Sequence, residues 1–335
     1  MKVKIVILNW NGRAHLERFL PSVVAHSGEA SVVVADNGSN DDSVPFLREH
    51  YPQVELLQLD QNYGFAEGYN RALSRIEADC YVLLNSDVEV EEGWLNPLVT
   101  RLAADEKVAA LAPKIISYER KSDFEYAGAA GGFIDCFGYP FCRGRILDTI
   151  EKDQGQYDTA REVFWASGAC MVVRADLFHK LGGFDGDFFA HMEEIDLCWR
   201  MQLAGYRVMV EPRSQVFHLG GGTLPNNSAR KLYLNYRNNL SMLFKNLSRR
   251  SLLPVLFARM VLDGMSAMVF LLQRRPDFFK VVFRAHMDFY HALNTLRIKR
   301  RVIQQSRIAS ASSNIYKGSI ILRHALGKRT FDHLM

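Results

Sequence analysis

The chain has 335 residues, 48% of them hydrophobic and 23% charged, an ordinary globular composition that fits one large domain or two smaller ones. A net charge of +4 conceals a division: residues 1–227 hold 21 Lys+Arg against 33 Asp+Glu, and residues 228–335 hold 20 against 4. The basic part is expected to face something anionic: membrane phospholipid, nucleic acid or an anionic lipid-linked substrate. The five cysteines are scattered with no CxxC pair. That disfavours a zinc knuckle and, with no signal peptide at the start, suggests reduced thiols in the cytoplasm.

In chain order, "VKIVILNW" reads as a buried strand and "GRAHLERFLPSVVAHS" as a helix, with Leu16, Phe19, Leu20 and Val23 on one face. "ASVVVADNGSNDDS" is a second strand, "SVPFLREHY" a short helix and "VELLQLDQN" a third strand. "GFAEGYNRALSRIE" is a helix, "CYVLLNSD" the fourth strand and "GWLNPLVTRLAAD" a further helix. This alternation predicts an α/β fold with a largely parallel, doubly wound sheet, whose ligands gather at the carboxyl ends of the strands. Those ends carry Asn9-Trp10-Asn11-Gly12, Asp36-Asn37-Gly38-Ser39, Asn62-Tyr63-Gly64-Phe65 and Asn85-Ser86-Asp87. One such end is turn chemistry; four on one rim suggest a ligand site. Neither GxxxxGK[ST] nor GxGxxG occurs, which disfavours a nucleoside triphosphatase and an ordinary NAD dehydrogenase. Asp and Asn suit a base and ribose, and a divalent cation on Asp87 would supply the counter-charge a diphosphate needs. Glu89, Glu91 and Glu92 beyond it are expected on the solvated start of the next helix.

Residues 105–165, with "EYAGAAGGFIDCFGYPFCRGR", read either as a long, mobile loop over a site or as an irregular connection. "ACMVVR" is a strand and "RADLFHKLGGF" a short helix. "DFFAHMEEIDLCWRMQLAG" is expected to be helical, with Glu193, Glu194 and Asp196 in its first turn. Acids there complement the helix dipole, and Asp196 with Arg200 fits a surface i,i+4 pair. Glu193 and Glu194 point in different directions, so one of them aimed into a cleft is a candidate general base. "GYRVMVEPRSQVFHLGGGT" reads as strand, turn at Pro212 and strand. It ends in His218, a candidate metal ligand, ahead of Gly220-Gly221-Gly222, suited to wrapping a phosphate.

With "VILNWNG", "VVADNGSNDDS", "NYGFAEGYNRAL", "VLLNSDVEV", "WASGACMVVRADLFHKLGGFDGDFFAHMEEIDLCWR" and "VFHLGGGT" in order along about 220 residues, the chain resembles glycosyltransferase family 2. These are inverting GT-A enzymes, and the likeness is to the rhamnosyltransferase-like branch. The resemblance implies that Asn9, Trp10, Asn11, Asp36 and Ser39 line a nucleoside pocket, with Asn62, Gly64, Ala66, Asn70, Asn85 and Ser86 also on the nucleotide. It implies Mn²⁺ or Mg²⁺ on Asp87 and His218, Trp165 and Gly168 beside the acceptor, and Glu194, or Glu193, as base. Two departures stand out: Asn85 replaces the first carboxylate of the DXD-like motif, and Glu194 replaces the usual aspartate base.

The tail opens with "SARKLYLNYRNNLSMLFKN", a helix. "SLLPVLFARMVLDGMSAMVFLLQRR" follows, apolar enough to raise a membrane span but carrying Arg259 and Asp263; a packed or interfacial helix is preferred. "RIKRRVIQQSR" adds a positive cluster.

The sequence therefore predicts a GT-A catalytic domain over 1–227, with a nucleotide-sugar half (1–104) and an acceptor half (105–227). A basic helical C-terminal region over 228–335 would be membrane-associated. The expected activity is transfer of a sugar from a UDP- or dTDP-sugar to a hydroxyl of a glycan or lipid-linked acceptor in cell-surface polysaccharide synthesis. The expected place is the inner face of the cell membrane, with no nucleic-acid partner. The alternatives are a sugar-1-phosphate nucleotidyltransferase and a non-catalytic nucleotide-sugar-binding scaffold.

Overall fold

The computed structural model describes residues 1–220, 228–309 and 314–334. The first third alternates strand and helix as expected. Its elements are β1 (Val3–Asn9), α1 (Arg13–His26), β2 (Ser31–Asn37), α2 (Ser43–His50), β3 (Glu55–Leu59), α3 (Gly64–Leu73) and β4 (Cys80–Leu84). β5 (Val88–Val90), α4 (Leu95–Ala104) and β6 (Val108–Ser117) follow. β1 lies between β2 and β4, and β3 flanks β2, all parallel. The continuous apolar runs that predicted burial on both faces are buried: every residue of β4 is inaccessible, and so is the centre of β1.

Beyond β4 the sheet becomes mixed. β12 (Cys170–Arg174) runs antiparallel between β4 and β6, and β13 (Arg207–His218) runs parallel to β6 on its other side. β13 is one strand with an irregular register between Glu211 and Gln215, where a turn at Pro212 separating two strands was expected. Proline sits there because a bulge frees it from the ladder. Glu89 belongs to β5 rather than to a helix start, and it pairs with Lys121 at 2.5 Å.

Residues 105–165 are not a loose loop: one long strand and several short ones are joined by irregular segments. β6 is ten residues long, and β7 (Gly132–Asp135), β8 (Pro140–Cys142), β9 (Arg145–Ile146) and β10 (Thr149–Ile150) build a second small sheet. The aromatics that suggested mobility are its core: Phe124, Phe133 and Phe141 are buried. The glycines give close approach; a β-carbon at Gly132 would lie 2.0 Å from the Trp165 ring. β11 (Arg161–Glu162) edges the large sheet.

α5 (Ala175–Lys180) precedes α6 (Glu193–Leu203), which starts later than the expected Asp187. The tail forms α7 (Ala229–Asn246), α8 (Arg249–Leu272), α9 (Pro276–His291) and α10 (Leu293–Gln305). β14 (Ile315–Tyr316) then returns to pair with β7, and α11 (Ile320–Ala325) follows it. Leu240, Met242 and Leu243 of α7 join the same core as β12 and α6.

α8 has its polarity reversed. Its buried stripe is Leu256, Arg259, Asp263 and Ala267, while Leu253, Phe257, Met265, Met268 and Leu272 are exposed. The Arg259–Asp263 pair (2.7 Å) is satisfied by Asn239 and His286 and covered by Tyr139. The helix is long and apolar enough to cross a membrane, yet its charged stripe packs on protein.

Candidate functional site

The ends of β1 and β2 form one wall. Buried Asn9 donates its amide to Asp36 at 3.1 Å, and the Ser39 N–H donates to the other Asp36 oxygen at 3.0 Å. The Ser39 hydroxyl accepts the Asn11 N–H at 2.9 Å. Asn11 itself has φ 50°, a conformation asparagine tolerates. Asn9 Oδ1 is buried without a partner, and a β-carbon at Gly12 would stand 2.4 Å from it. The Trp10 side chain is 47% exposed beside this cluster. Asn9, Asn11, Asp36 and Ser39 therefore come together as the sequence suggested. Asn37, not singled out there, ties this wall to the next: it accepts from Tyr63 N and donates to Asn62 and to the Gly64 carbonyl.

A second wall follows β4. The Asp87 carboxylate lies 3.1 Å from His218 Nε2, and the other ring nitrogen lies 3.4 Å from Glu125 Oε1. The Asn85 amide is 3.5 Å from the same imidazole, and the Ser86 hydroxyl lies near the Gly12 backbone. Burial works against ionisation of Asp87, but His218 outweighs it and holds the carboxyl below its ordinary range. Burial would likewise lower His218; Glu125 and Asp87 on either side raise it to about 10. Glu125 is a buried acid that the sequence did not flag, being one carboxylate at the edge of a glycine-rich stretch. Among the described residues no group of three or more His, Cys, Asp or Glu side chains is placed to hold a metal ion; Asp87 is an oxygen donor of the kind Mn²⁺ or Mg²⁺ takes, and His218, paired with Asp87 and Glu125, would join it only on giving up a ring proton. Gly221 and Gly222 of the expected phosphate wrap lie outside the described residues.

The third wall is the start of α6. Glu193 is buried, and burial together with the Glu194 charge pushes its carboxyl well above the ordinary range. Glu194 is half-buried, and burial, partly offset by backbone amides, raises it to about 7. Each has an unpartnered buried Oε2. The deeper Glu193 is held further above the ordinary carboxylate range than the half-buried Glu194, so the two carboxyls sit in different environments, as a pair with divided acid–base roles would. Gly168 adjoins it: a β-carbon there would be 4.0 Å from Glu194 Cγ and 3.6 Å from Phe65.

The backbone leading into α6 is strained. Phe189, His191 and Met192 have φ of 63°, 68° and 72°, each costing roughly 1–3 kcal/mol for a non-glycine residue. The Phe189 carbonyl accepts from Phe65 N (2.7 Å) and Ala66 N (3.1 Å). Asn238 of α7, wholly buried, donates to the carbonyls of Phe188, Ala190 and His191 at 3.0, 2.9 and 2.8 Å. Arg237 adds bonds to Asp187 and Phe188 carbonyls. Behind the helix, Asp196 and Arg200 are buried rather than a surface pair, and Lys245 and Asn246 of α7 complete their network.

Two expected contacts are spent on structure. Trp165 is 3% exposed and its N–H donates to the Phe133 carbonyl at 3.0 Å, so it belongs to the core and not to an acceptor site. Asn70 uses both ends of its amide on the Phe184 backbone, each at 2.9 Å, and its nitrogen also reaches Glu67 at 3.4 Å, so it pins the loop before α6. Ala66 meets the site only through its backbone N–H, and Gly64 through lack of a side chain, since a β-carbon would strike the Phe189 ring at 2.5 Å.

The profile of Glycosyl transferase family 2 matches residues 4–182. The N-acetylglucosaminyl-diphospho-decaprenol L-rhamnosyltransferase of Mycobacterium tuberculosis is 30% identical over 234 residues, 64% of this chain and 75% of that protein. Rhamnosyltransferase WbbL of Escherichia coli is 26% identical over 225 residues, 64% and 83% of the two chains. S. aureus TarS 1–349 in complex with UDP is similar in fold, with a TM-score of 0.57 at 14% identity, covering 98% of this chain and 92% of the other. GalNAc-T7 with UDP, GalNAc and Mn²⁺ gives 0.57 at 16% identity over 73% of this chain and 48% of the other, so the chain spans about half that enzyme's length. These likenesses identify the GT-A fold.

Proposed function

The chain belongs to glycosyl transferase family 2, in its rhamnosyltransferase-like branch, and from that premise we propose that it transfers a sugar, with inversion, from a UDP- or dTDP-sugar to a hydroxyl of a lipid-linked glycan acceptor. The observation that carries this is the meeting of three walls: the Asn9–Asp36–Ser39 cluster, the Asp87–His218 pair, and Glu194 on Gly168. Asp36 and Asn9 offer acceptors and donors to the base and ribose. Asp87 and His218 would hold Mn²⁺ or Mg²⁺, which when bound supplies positive charge for the diphosphate. Glu194 takes the proton of the attacking hydroxyl, with Glu193 beside it held well above the ordinary carboxylate range by burial and by the Glu194 charge. Supporting the donor class, TarS is solved with UDP and UDP-GlcNAc. Supporting the acceptor class, the mycobacterial relative's name specifies a diphospho-decaprenol.

In this proposal the exposed apolar face of α8 and the outward basic residues of α10, Arg297 and Arg301, rest on the anionic inner face of the cell membrane. In this reading the donor lies in 1–104 and the acceptor hydroxyl meets Glu194 in 105–227, while 228–335 dock the membrane and brace the loop that carries Glu194. The nucleotidyltransferase alternative is disfavoured by the family. Donor hydrolysis would separate the enzyme from a non-catalytic scaffold. Purified protein with radiolabelled UDP- and dTDP-sugars and Mn²⁺ is expected to release free sugar slowly; binding without any release would overturn the enzyme reading. In calorimetry, Asp87→Ala should abolish Mn²⁺-dependent binding of the nucleoside diphosphate.

A further inference from the structure

A cavity of about 510 Å³ lies between the strained loop before α6 and the tail helices α7 and α9, a volume typical of ligand sites. It is separate from the strand-end walls but shares a partition with them. One part of the Phe189 ring lies where a Gly64 β-carbon would be, and the same residue lines the cavity. On α7 the lining falls at Ala229, Arg230, Tyr233, Leu234 and Arg237, so that Arg230 and Arg237 take i and i+7 positions on a face where a packed helix normally places apolar residues. Val281 and Arg284 of α9 face it.

The charges in it are unbalanced. Arg230 stacks on Phe189 at 4.6 Å, and Arg237 and Arg284 straddle the Tyr233 ring at 5.4 and 5.5 Å. Arg237 is otherwise held by carbonyls and the Asn238 side chain. Among the described residues the carboxylate paired with this cluster is Asp288, which takes the Tyr233 hydroxyl at 2.6 Å and stands 3.7 Å from Arg284. Three guanidinium groups against one carboxylate, on aromatic and aliphatic walls, fit a phosphorylated amphiphile. Guanidinium groups bind phosphate oxygens in pairs, and the walls accept hydrocarbon. Next to Arg284 on α9, Phe283 is 63% exposed, with Met287 and Tyr290 further along, an apolar track for a chain leaving the cavity.

We propose that this cavity binds the diphosphate and first isoprene units of a prenyl-diphosphate-linked acceptor, which places its sugar on the Glu194 side of Phe189. The proposal rests on the acceptor class given above. The donor diphosphate has its own place at Asp87 and His218, so the two anions occupy opposite sides of the Phe189 partition.

The test is equilibrium binding of radiolabelled geranylgeranyl diphosphate to the full chain, with geranylgeraniol, inorganic diphosphate, UDP and dTDP as competitors. The wild type should bind the prenyl diphosphate at least tenfold more tightly than either the alcohol or the inorganic ion, and UDP or dTDP should not displace it. Arg230→Glu with Arg284→Glu, both at exposed side chains, should weaken it at least tenfold with Tm and Mn²⁺-dependent UDP or dTDP binding unchanged, while the double lysine variant stays within about threefold. Equal binding by the glutamate variant, no binding by the wild type, or displacement by UDP would overturn the proposal. Loss of donor binding alone, with arginine-dependent lipid binding kept, would instead count against the donor reading and leave this site standing.

Discussion

Glu194 lies against Gly168: a β-carbon on the glycine would stand 4.0 Å from Glu194 Cγ and 3.6 Å from the Phe65 ring. The Glu194 carboxyl titrates near 7. The rate of sugar transfer should therefore rise with pH along a limb centred near pH 7. Glu194→Gln should cut turnover by roughly a hundred- to ten-thousand-fold while donor affinity holds. Near-normal turnover of that variant on a lipid-linked acceptor would remove Glu194 from the mechanism.

The same group bears on stability. A carboxyl raised in the folded state binds more protons there than in the unfolded chain, so its contribution to stability is present at low pH and declines as pH rises from about 4.5 to about 7. Denaturant titrations above that window should find Glu194→Gln more stable than the wild type by about 1–3 kcal/mol. A variant less stable at pH 8 would contradict this.

Glu125 stands 3.4 Å behind His218, on the ring nitrogen away from Asp87. Carboxylates so placed orient imidazole ligands, and their loss typically costs about 10–100-fold in metal affinity. Glu125→Gln keeps an acceptor for the Ala127 N–H and should weaken Mn²⁺ binding by about that factor, read by calorimetry, with Tm little changed.

Asn238 fastens three carbonyls of a loop with unfavourable φ values. Asn238→Ala leaves buried acceptors unpaired, at about 1–3 kcal/mol for each group left unsatisfied. Turnover should fall more than UDP or dTDP affinity, because the loop delivers Glu194 while the strand ends hold the donor. Equal losses in both would contradict this division.

The reversed polarity of α8 predicts that Leu253→Asp with Phe257→Asp, both at exposed positions, abolishes flotation with anionic liposomes without unfolding the protein. Asp263→Ala should instead unfold it readily, since stranding buried Arg259 costs about 3–5 kcal/mol. Unchanged flotation of the double aspartate variant would remove α8 from the docking surface.

The first four strands and three helices were legible because each apolar run is bounded by turn residues and buried on both faces. The Asn9–Asp36–Ser39 cluster was legible for the same reason: strand ends are fixed once the strands are. What was hidden depends on contacts between distant segments. Nothing local distinguishes Trp165 at an acceptor from Trp165 on Gly132, or Asn70 on a nucleotide from Asn70 on Phe184. Aromatic, glycine-rich residues 125–145 suggested a loop because strands of two to four residues carry too little periodicity to read. One signal was present and passed over: Asn238-Asn239, two poor helix formers inside a helix, are both fully buried, which indicates a side-chain task.

That task has a practical corollary. The acidic-to-basic change near residue 227 looks like a place to divide the protein, and a chain ending there would keep every strand of the large sheet. It would lose Asn238, Arg237 and Lys245 together, and with them the fastenings of the loop and helix that carry Glu194. Such a fragment is expected to bind nucleotide and transfer nothing, and adding the missing helices as a separate peptide should restore transfer.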